Sequence, residues 1–121
     1  MILGIGTDIV LVARIGKLRP AAVSRLLTAK EKKYCDRYAN VHERVAGRFA
    51  AKESVLKAMG TGLSAGMAWR EIEILPDAHG APHVSFFGAA LKCFKKLGAT
   101  RCHISISHEK IHAIAFAILE K

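Results

Sequence analysis

Three stretches of the 121-residue chain carry residue types that could act together. The first is ILGIGTDIV, where Asp8 sits in an otherwise apolar run. Read as a strand, it puts Asp8 on one face with Gly4 and Gly6, while Leu3, Ile5, Thr7 and Ile9 face the other way. Two glycines beside an acid leave a trough that a second backbone or a ligand can enter. The acid then either caps the helix that follows or meets a partner from elsewhere in the chain. The second stretch is GRFAAKESVLKAMGTG, in which Glu53 and Lys57 stand four apart on one helix face. That spacing serves an ordinary surface ion pair as well as it serves a site. The Lys52-Glu53 doublet, however, interrupts a mostly apolar run, and the helix leads directly into Gly60-Thr61-Gly62. Backbone N–H groups in such a loop suit phosphate oxygens, although neither a Walker nor a dinucleotide fingerprint is present. Asp8 and Glu53 together make a hard-oxygen pair suited to Mg²⁺, which takes one or two protein carboxylates and fills its shell with water and substrate phosphates. The third stretch is HISISH. Ile104 and Ile106 face the core, His103, Ser105 and Ser107 the opposite side, and His108 stands at a hairpin corner. His108 reads either as a solvated hairpin residue or as part of a site. No G-x-S-x-G elbow accompanies it, and the six histidines are too scattered for a zinc centre.

These residues need elements to hold them. Ile2 to Ile9 reads as a strand. LVARIGKL follows with apolar residues at helical spacing, and Pro20 ends it or starts the next turn. Thr28 and Glu31 form a capping-box pattern for a helix to about Tyr38. Asn40 and Glu43 suggest the start of the longest helix, HERVAGRFAAKESVLKAM, with Gly60 as its C′ stop. TGLSAGMA is a loop, WREIEIL and HVSFF alternate as strands around the turn PDAHGAP, and GAALKCFKKLG is a helix closed by Gly98. CHISISH and HAIAFAILE then pair as an antiparallel hairpin. The order predicts an α+β fold, helices packed on a largely antiparallel sheet, in a single domain spanning 1–121.

Composition narrows the function classes. The net charge is +9, and the Val10 to Arg48 segment holds ten Lys/Arg against three acids. Such a field attracts a polyanion: nucleic acid, an anionic membrane, a phosphorylated small molecule or an acidic protein. Tyr34, Tyr38 and Trp69 form no evident stacking platform, which argues against nucleic acid. Neither a membrane span nor a signal peptide is expected. Three scattered cysteines without C-x-x-C spacing fit a reducing cytoplasm.

GIGTDIV, RFAAKESVLKAMGTG and HISISHE, in this order and spacing, resemble the holo-acyl-carrier-protein synthases, the short class of 4′-phosphopantetheinyl transferases. The resemblance covers nearly the whole chain. It implies transfer of 4′-phosphopantetheine from coenzyme A to a serine of apo acyl carrier protein, with release of adenosine 3′,5′-bisphosphate, in fatty-acid biosynthesis. It implies Mg²⁺ as cofactor, with Mn²⁺ able to substitute, held by Asp8 and Glu53. By the same resemblance Glu53 and Lys57 are catalytic, with the serine proton passing to Glu53 or to a metal-bound water. Lys57, Gly60, Thr61 and Gly62 hold phosphates of coenzyme A, and Ser107 and His108 line the nucleotide site. Arg14 docks the acidic carrier helix, with Lys17, Arg19 and Arg25 beside it. Larger transferases similar to this pattern carry a further acid where this chain has Val10, so two carboxylates are expected. The short class implies a homotrimer with interfacial sites, the His108 and Asp8 sides coming from different copies, and no nucleic-acid or membrane partner.

Overall fold

The opening strand runs past its acid. In a computed structural model describing residues 1–64 and 66–121, β1 spans Ile2–Leu11. It lies antiparallel to β5 (His112–Glu120), whose other edge carries β4 (Arg101–His108), so the sheet order is β1-β5-β4. The β4–β5 hairpin is fixed by Glu109, whose carboxylate accepts the N–H groups of Ile111 and His112. Strand alternation gives the sheet one face lined by Gly4, Gly6, Asp8 and Val10 of β1 and by Ala113, Ala115, Ala117 and Leu119 of β5.

The long helix α4 (Val41–Met59) packs on that face. Small residues let it come close. A side chain at Gly4 would strike the Ala58 carbonyl, and one at Gly6 would strike that of Ser54. Near the other end of α4, Gly47 lies against Ile106 and His108 of β4. The helix therefore crosses the sheet diagonally, from the end of β4 to the start of β1. The trough beside Asp8 is filled by helix backbone, not by a ligand.

The other side of α4 is also covered, so twelve of its residues are buried and it lacks a clean polar face. The cover is α3 (Ala29–Cys35), started by the Thr28–Glu31 capping box, and the two-stranded sheet of β2 (Ile72–Pro76) and β3 (Pro82–Phe86). Helix α5 (Gly88–Lys96) packs Phe94 on Phe86 with ring centroids 4.4 Å apart. The expected α+β class is what is found. Two element readings change. LVARIGKL yields only the short helix α1 (Val12–Gly16), with Leu11 still in β1, while Pro20, as one of its two expected roles, starts a separate helix α2 (Pro20–Leu26), where a missing N–H costs nothing. Trp69–Glu71 is a 3₁₀ turn and not strand, since Glu71 turns its carboxylate onto the N–H groups of Ala68 and Ala89. Ala65, in the loop TGLSAGMA, lies outside the described residues.

Among the described residues, nothing covers the face of the β1-β5-β4 sheet away from α4. Ile5, Ile9, Ile114 and Phe116 stand there 44–62% exposed.

Candidate active site

Asp8 sits in mid-strand, and the N-cap position of α1 is Leu11, which makes no side-chain cap. The capping role is thereby removed. Asp8 Oδ1 instead accepts a hydrogen bond from Lys57 Nζ at 3.0 Å, and the same ammonium donates to the Thr7 carbonyl at 3.0 Å. Lys57 thus reaches across from α4 to β1 and not along its own helix to Glu53. Glu53, one turn before Lys57, stands beside them. Burial and then the negative charge of Asp8 push its carboxyl above the usual range, and Lys57 and Arg14 only partly offset this. Two carboxylates crowded at one spot, with half-exposed Lys57 as the nearest counter-charge, are an arrangement a divalent cation would relieve. Among the described residues no group of three or more His, Cys, Asp or Glu forms a richer ligand set.

Gly60 takes a left-handed conformation (φ 75°) and stops α4 as expected. Its N–H bonds to the Lys57 carbonyl and that of Thr61 to the Leu56 carbonyl. The reading of this loop as a row of free donors is corrected: the N–H groups of Gly60 and Thr61 are spent closing the helix. Among the described residues the Gly62 N–H is in no backbone hydrogen bond outside regular structure.

His108 belongs to a different place. Its Nδ1 lies 3.0 Å from Glu43 Oε1, and since a carboxylate only accepts, Nδ1 is the donor of this bond. Around it Tyr34, Arg44, Arg48 and Pro82 line a recess of about 110 Å³. Ser107 points to the opposite, uncovered face of the sheet, so within one chain it does not join His108. Glu43 and Glu53 are about 15 Å apart along α4 at a helical rise of 1.5 Å per residue. One chain brings together Asp8, Glu53 and Lys57, and it does not bring His108 to them.

A third feature adjoins the carboxylates. A groove of about 720 Å³ is lined by Ile15, Leu18, Phe49, Met67 and Trp69, with Arg14, Arg25 and Arg70 among its lining residues. The Arg14 guanidinium lies 5.9 Å from the centre of the Phe49 ring. Lys17 and Arg19 are exposed nearby but do not line the groove.

Residues 4–117 match the model of the 4′-phosphopantetheinyl transferase superfamily. The chain belongs to that superfamily. A holo-[acyl-carrier-protein] synthase of Koribacter versatilis is 42% identical to this transferase over 124 residues, covering 99% of each. The crystal structure of the holo-[acyl-carrier-protein] synthase of Neisseria meningitidis superposes with a TM-score of 0.89 at 40% identity, covering all of both chains. The Bacillus anthracis enzyme, solved in complex with coenzyme A (3′,5′-ADP), superposes with a TM-score of 0.83 at 36% identity, over 98% of this chain and 96% of that one. This transferase is thus an enzyme of the holo-[acyl-carrier-protein] synthase family.

Several residues of the transferase escape a reading of the sequence. Arg44 and Arg48 flank His108, yet in sequence they are two cations within a helix already rich in them. Arg44 Nε is buried without a hydrogen-bond partner, and only the fold reveals that. Lys52, the other half of the doublet, turns away from Glu53. Its side chain is fully buried, and Nζ donates to the Leu26 carbonyl (2.6 Å), Glu31 Oε1 (2.7 Å) and the Trp69 carbonyl (3.1 Å). Burial pulls its pKa below the ordinary value, against the pull of Glu31. Burial pushes the thiols of Cys35 up to about 11 and of Cys102 up to about 12, away from the thiolate that a nucleophile needs.

Proposed function

We propose that the chain transfers 4′-phosphopantetheine from coenzyme A to a serine hydroxyl of an apo acyl carrier protein, in the cytoplasm and in the service of fatty-acid synthesis, with residues 1–121 acting as one domain. The reading is carried by one observation: Asp8 and Glu53, from distant segments, converge beside Lys57 with their negative charge only partly balanced. Such a pair fits Mg²⁺ or Mn²⁺ with coenzyme A phosphates as its remaining ligands. When bound, the cation neutralises the pyrophosphate and the charge that develops on the leaving adenosine 3′,5′-bisphosphate.

The chain's own groups supply the rest. The serine oxygen forms a bond to the phosphorus bearing pantetheine, and the bond from that phosphorus to the bisphosphate breaks. Lys57 adds positive charge at the transferring group, and the Thr61 hydroxyl and the Gly62 N–H are further donors for phosphate on the loop that Gly60 turns. The serine proton passes to Glu53 or to a water beside it, Glu53 being the carboxylate that does not hold Lys57. His108, with the basic recess of Arg44 and Arg48, suits a phosphate of the nucleotide half. Ser107 enters such a site only from the uncovered face.

The groove of Arg14 and Arg25 suits an acidic amphipathic helix, apolar side inward and carboxylates on the rim, and Lys17 and Arg19 extend the attracting field. The uncovered apolar face of the sheet supports assembly of copies, as a homotrimer, and β1 and β4 are the two edges of that sheet. No described helix is long and apolar enough to cross a membrane. The test is mass spectrometry of an apo carrier protein incubated with the chain, coenzyme A and Mg²⁺. A gain of roughly 340 Da on the serine, the arm carried by this cofactor, is the expected result. No gain, or release of free phosphopantetheine, overturns the reading.

A further inference from the structure

The doublet Lys52-Glu53 divides its labour, and the half that faces inward has a role of its own. All three protons of the Lys52 ammonium are taken, by Glu31 Oε1 and by the carbonyls of Leu26 and Trp69, so it has none to offer a phosphate. Glu31 in turn accepts the Thr28 N–H on Oε1 (2.8 Å) and the Ile74 N–H on Oε2 (2.9 Å). Both partners are fully buried and fully satisfied, the condition under which such a network specifies one arrangement of the chain. The two carbonyls are the informative part. Leu26 and Trp69 both line the 720 Å³ groove, on separate segments: the last turn of α2 and the 3₁₀ turn before β2. Each is followed or preceded by a groove cation, since Arg25 adjoins Leu26 and Arg70 adjoins Trp69.

We propose that the buried Lys52–Glu31 pair is a positioning device for the acceptor. It ties two walls of the groove to α4, and so sets the groove width and the spacing of Arg25 and Arg70 that an acidic helix must match. This rests on the reading of the groove as the carrier-docking surface. An ammonium suits the task because its three donors can hold three acceptors that belong to different segments. The pair touches no reacting group, and its effect is on recognition of the acceptor and not on the phosphoryl step.

The test compares steady-state constants of the full chain and a Lys52→Met/Glu31→Gln double variant, which removes both charges and strands neither. The Michaelis constant for apo carrier protein is expected to rise on the order of tenfold, with that for coenzyme A and the turnover at saturating carrier within about twofold of the parent. Should the double variant fail to fold, Lys52→Gln/Glu31→Gln, which also removes both charges but keeps an amide donor towards the carbonyls, carries the same expectation in smaller measure. Arg14→Glu, measured in parallel, separates the two readings. A raised carrier constant for Arg14→Glu beside an unchanged one for the pair variant overturns the positioning role alone. Unchanged constants in both overturn the docking surface and the positioning role with it. Equal rises for carrier and coenzyme A make the pair a general scaffold and also overturn the inference.

Discussion

At Glu53 two effects act in the same direction. Burial and the charge of Asp8 both disfavour the ionised carboxylate, and Lys57 is already engaged by Asp8. Its pKa in the folded chain therefore lies above that in the unfolded chain. Below the unfolded value both states are protonated and nothing is lost. As pH rises towards and through the folded value, the unfolded state ionises first, and the fold carries the full cost at neutral pH. Glu53→Gln is accordingly expected to raise the melting temperature at pH 7 without divalent cations, with the gain shrinking as the pH is lowered towards 4. A gain that is constant with pH would sink this account. Addition of Mg²⁺ is expected to raise the melting temperature of the parent and to leave Glu53→Gln and Asp8→Ala nearly unmoved, since the proposed site would need both carboxylates to hold the ion. Turnover of Asp8→Ala or Glu53→Ala should fall by on the order of a hundredfold or more. A mutant near parental turnover would remove that residue from the metal site.

The carboxylates meet only because α4 can lie against β1, and glycine makes the approach possible. A Cβ at Gly6 would overlap the Ser54 carbonyl, a backbone group that cannot swing aside. Gly6→Ala is expected to destabilise the fold by about 3 kcal/mol, at the upper end of ordinary overpacking, as read from urea unfolding. Because the helix must lift where Glu53 and Lys57 hang from it, the variant should also lose its thermal response to Mg²⁺. A stable, Mg²⁺-responsive Gly6→Ala would show that the sheet, and not the helix, yields. This packing was half legible in the sequence: strand period two placed Gly4, Gly6 and Asp8 on one face, but the occupant of the trough was not. The inward turn of Lys52 was not legible either, for a related reason. A helix covered on both sides has no polar stripe, so helical spacing alone cannot say whether a lysine beside an acid faces solvent or core. Trp69 was read as strand because WREIEIL alternates, whereas the Glu71 carboxylate, used up on Ala68 and Ala89, bends the chain before the strand begins. His108 is half-buried among arginines contributed by α4, a neighbourhood set by the diagonal crossing of the helix, which no local pattern encodes.

At the scale of the molecule, the two halves of the proposed chemistry hang from opposite edges of one sheet. Asp8 is on β1 and His108 on β4, with β5 between them and α4 laid across. A single copy cannot fold one edge onto the other, because the sheet is open and the helix separates the two clusters. A neighbouring copy can present its β4 edge to this β1 edge, and the apolar side chains of Ile5, Ile9, Ile114 and Phe116 are the surface such copies would bury. Two consequences can be measured. Phe116→Glu places a charge in the middle of that surface and, if copies assemble as the proposed homotrimer, is expected to shift sedimentation towards monomer, with loss of transfer even though neither Asp8 nor Glu53 is altered. The sharper test mixes two inactive chains, Asp8→Ala and His108→Ala, after partial unfolding and joint refolding. If each site draws its metal pair from one copy and its histidine from the next, mixed assemblies contain some sites with both groups intact. Activity should then reappear on mixing, up to roughly a quarter of the parental level per pairing if copies assort at random and each interface contributes one site. Refolding each mutant alone should restore none. If the mixture stays as inactive as its components while trimers form, each site lies within one chain, and the role given to His108 must be withdrawn.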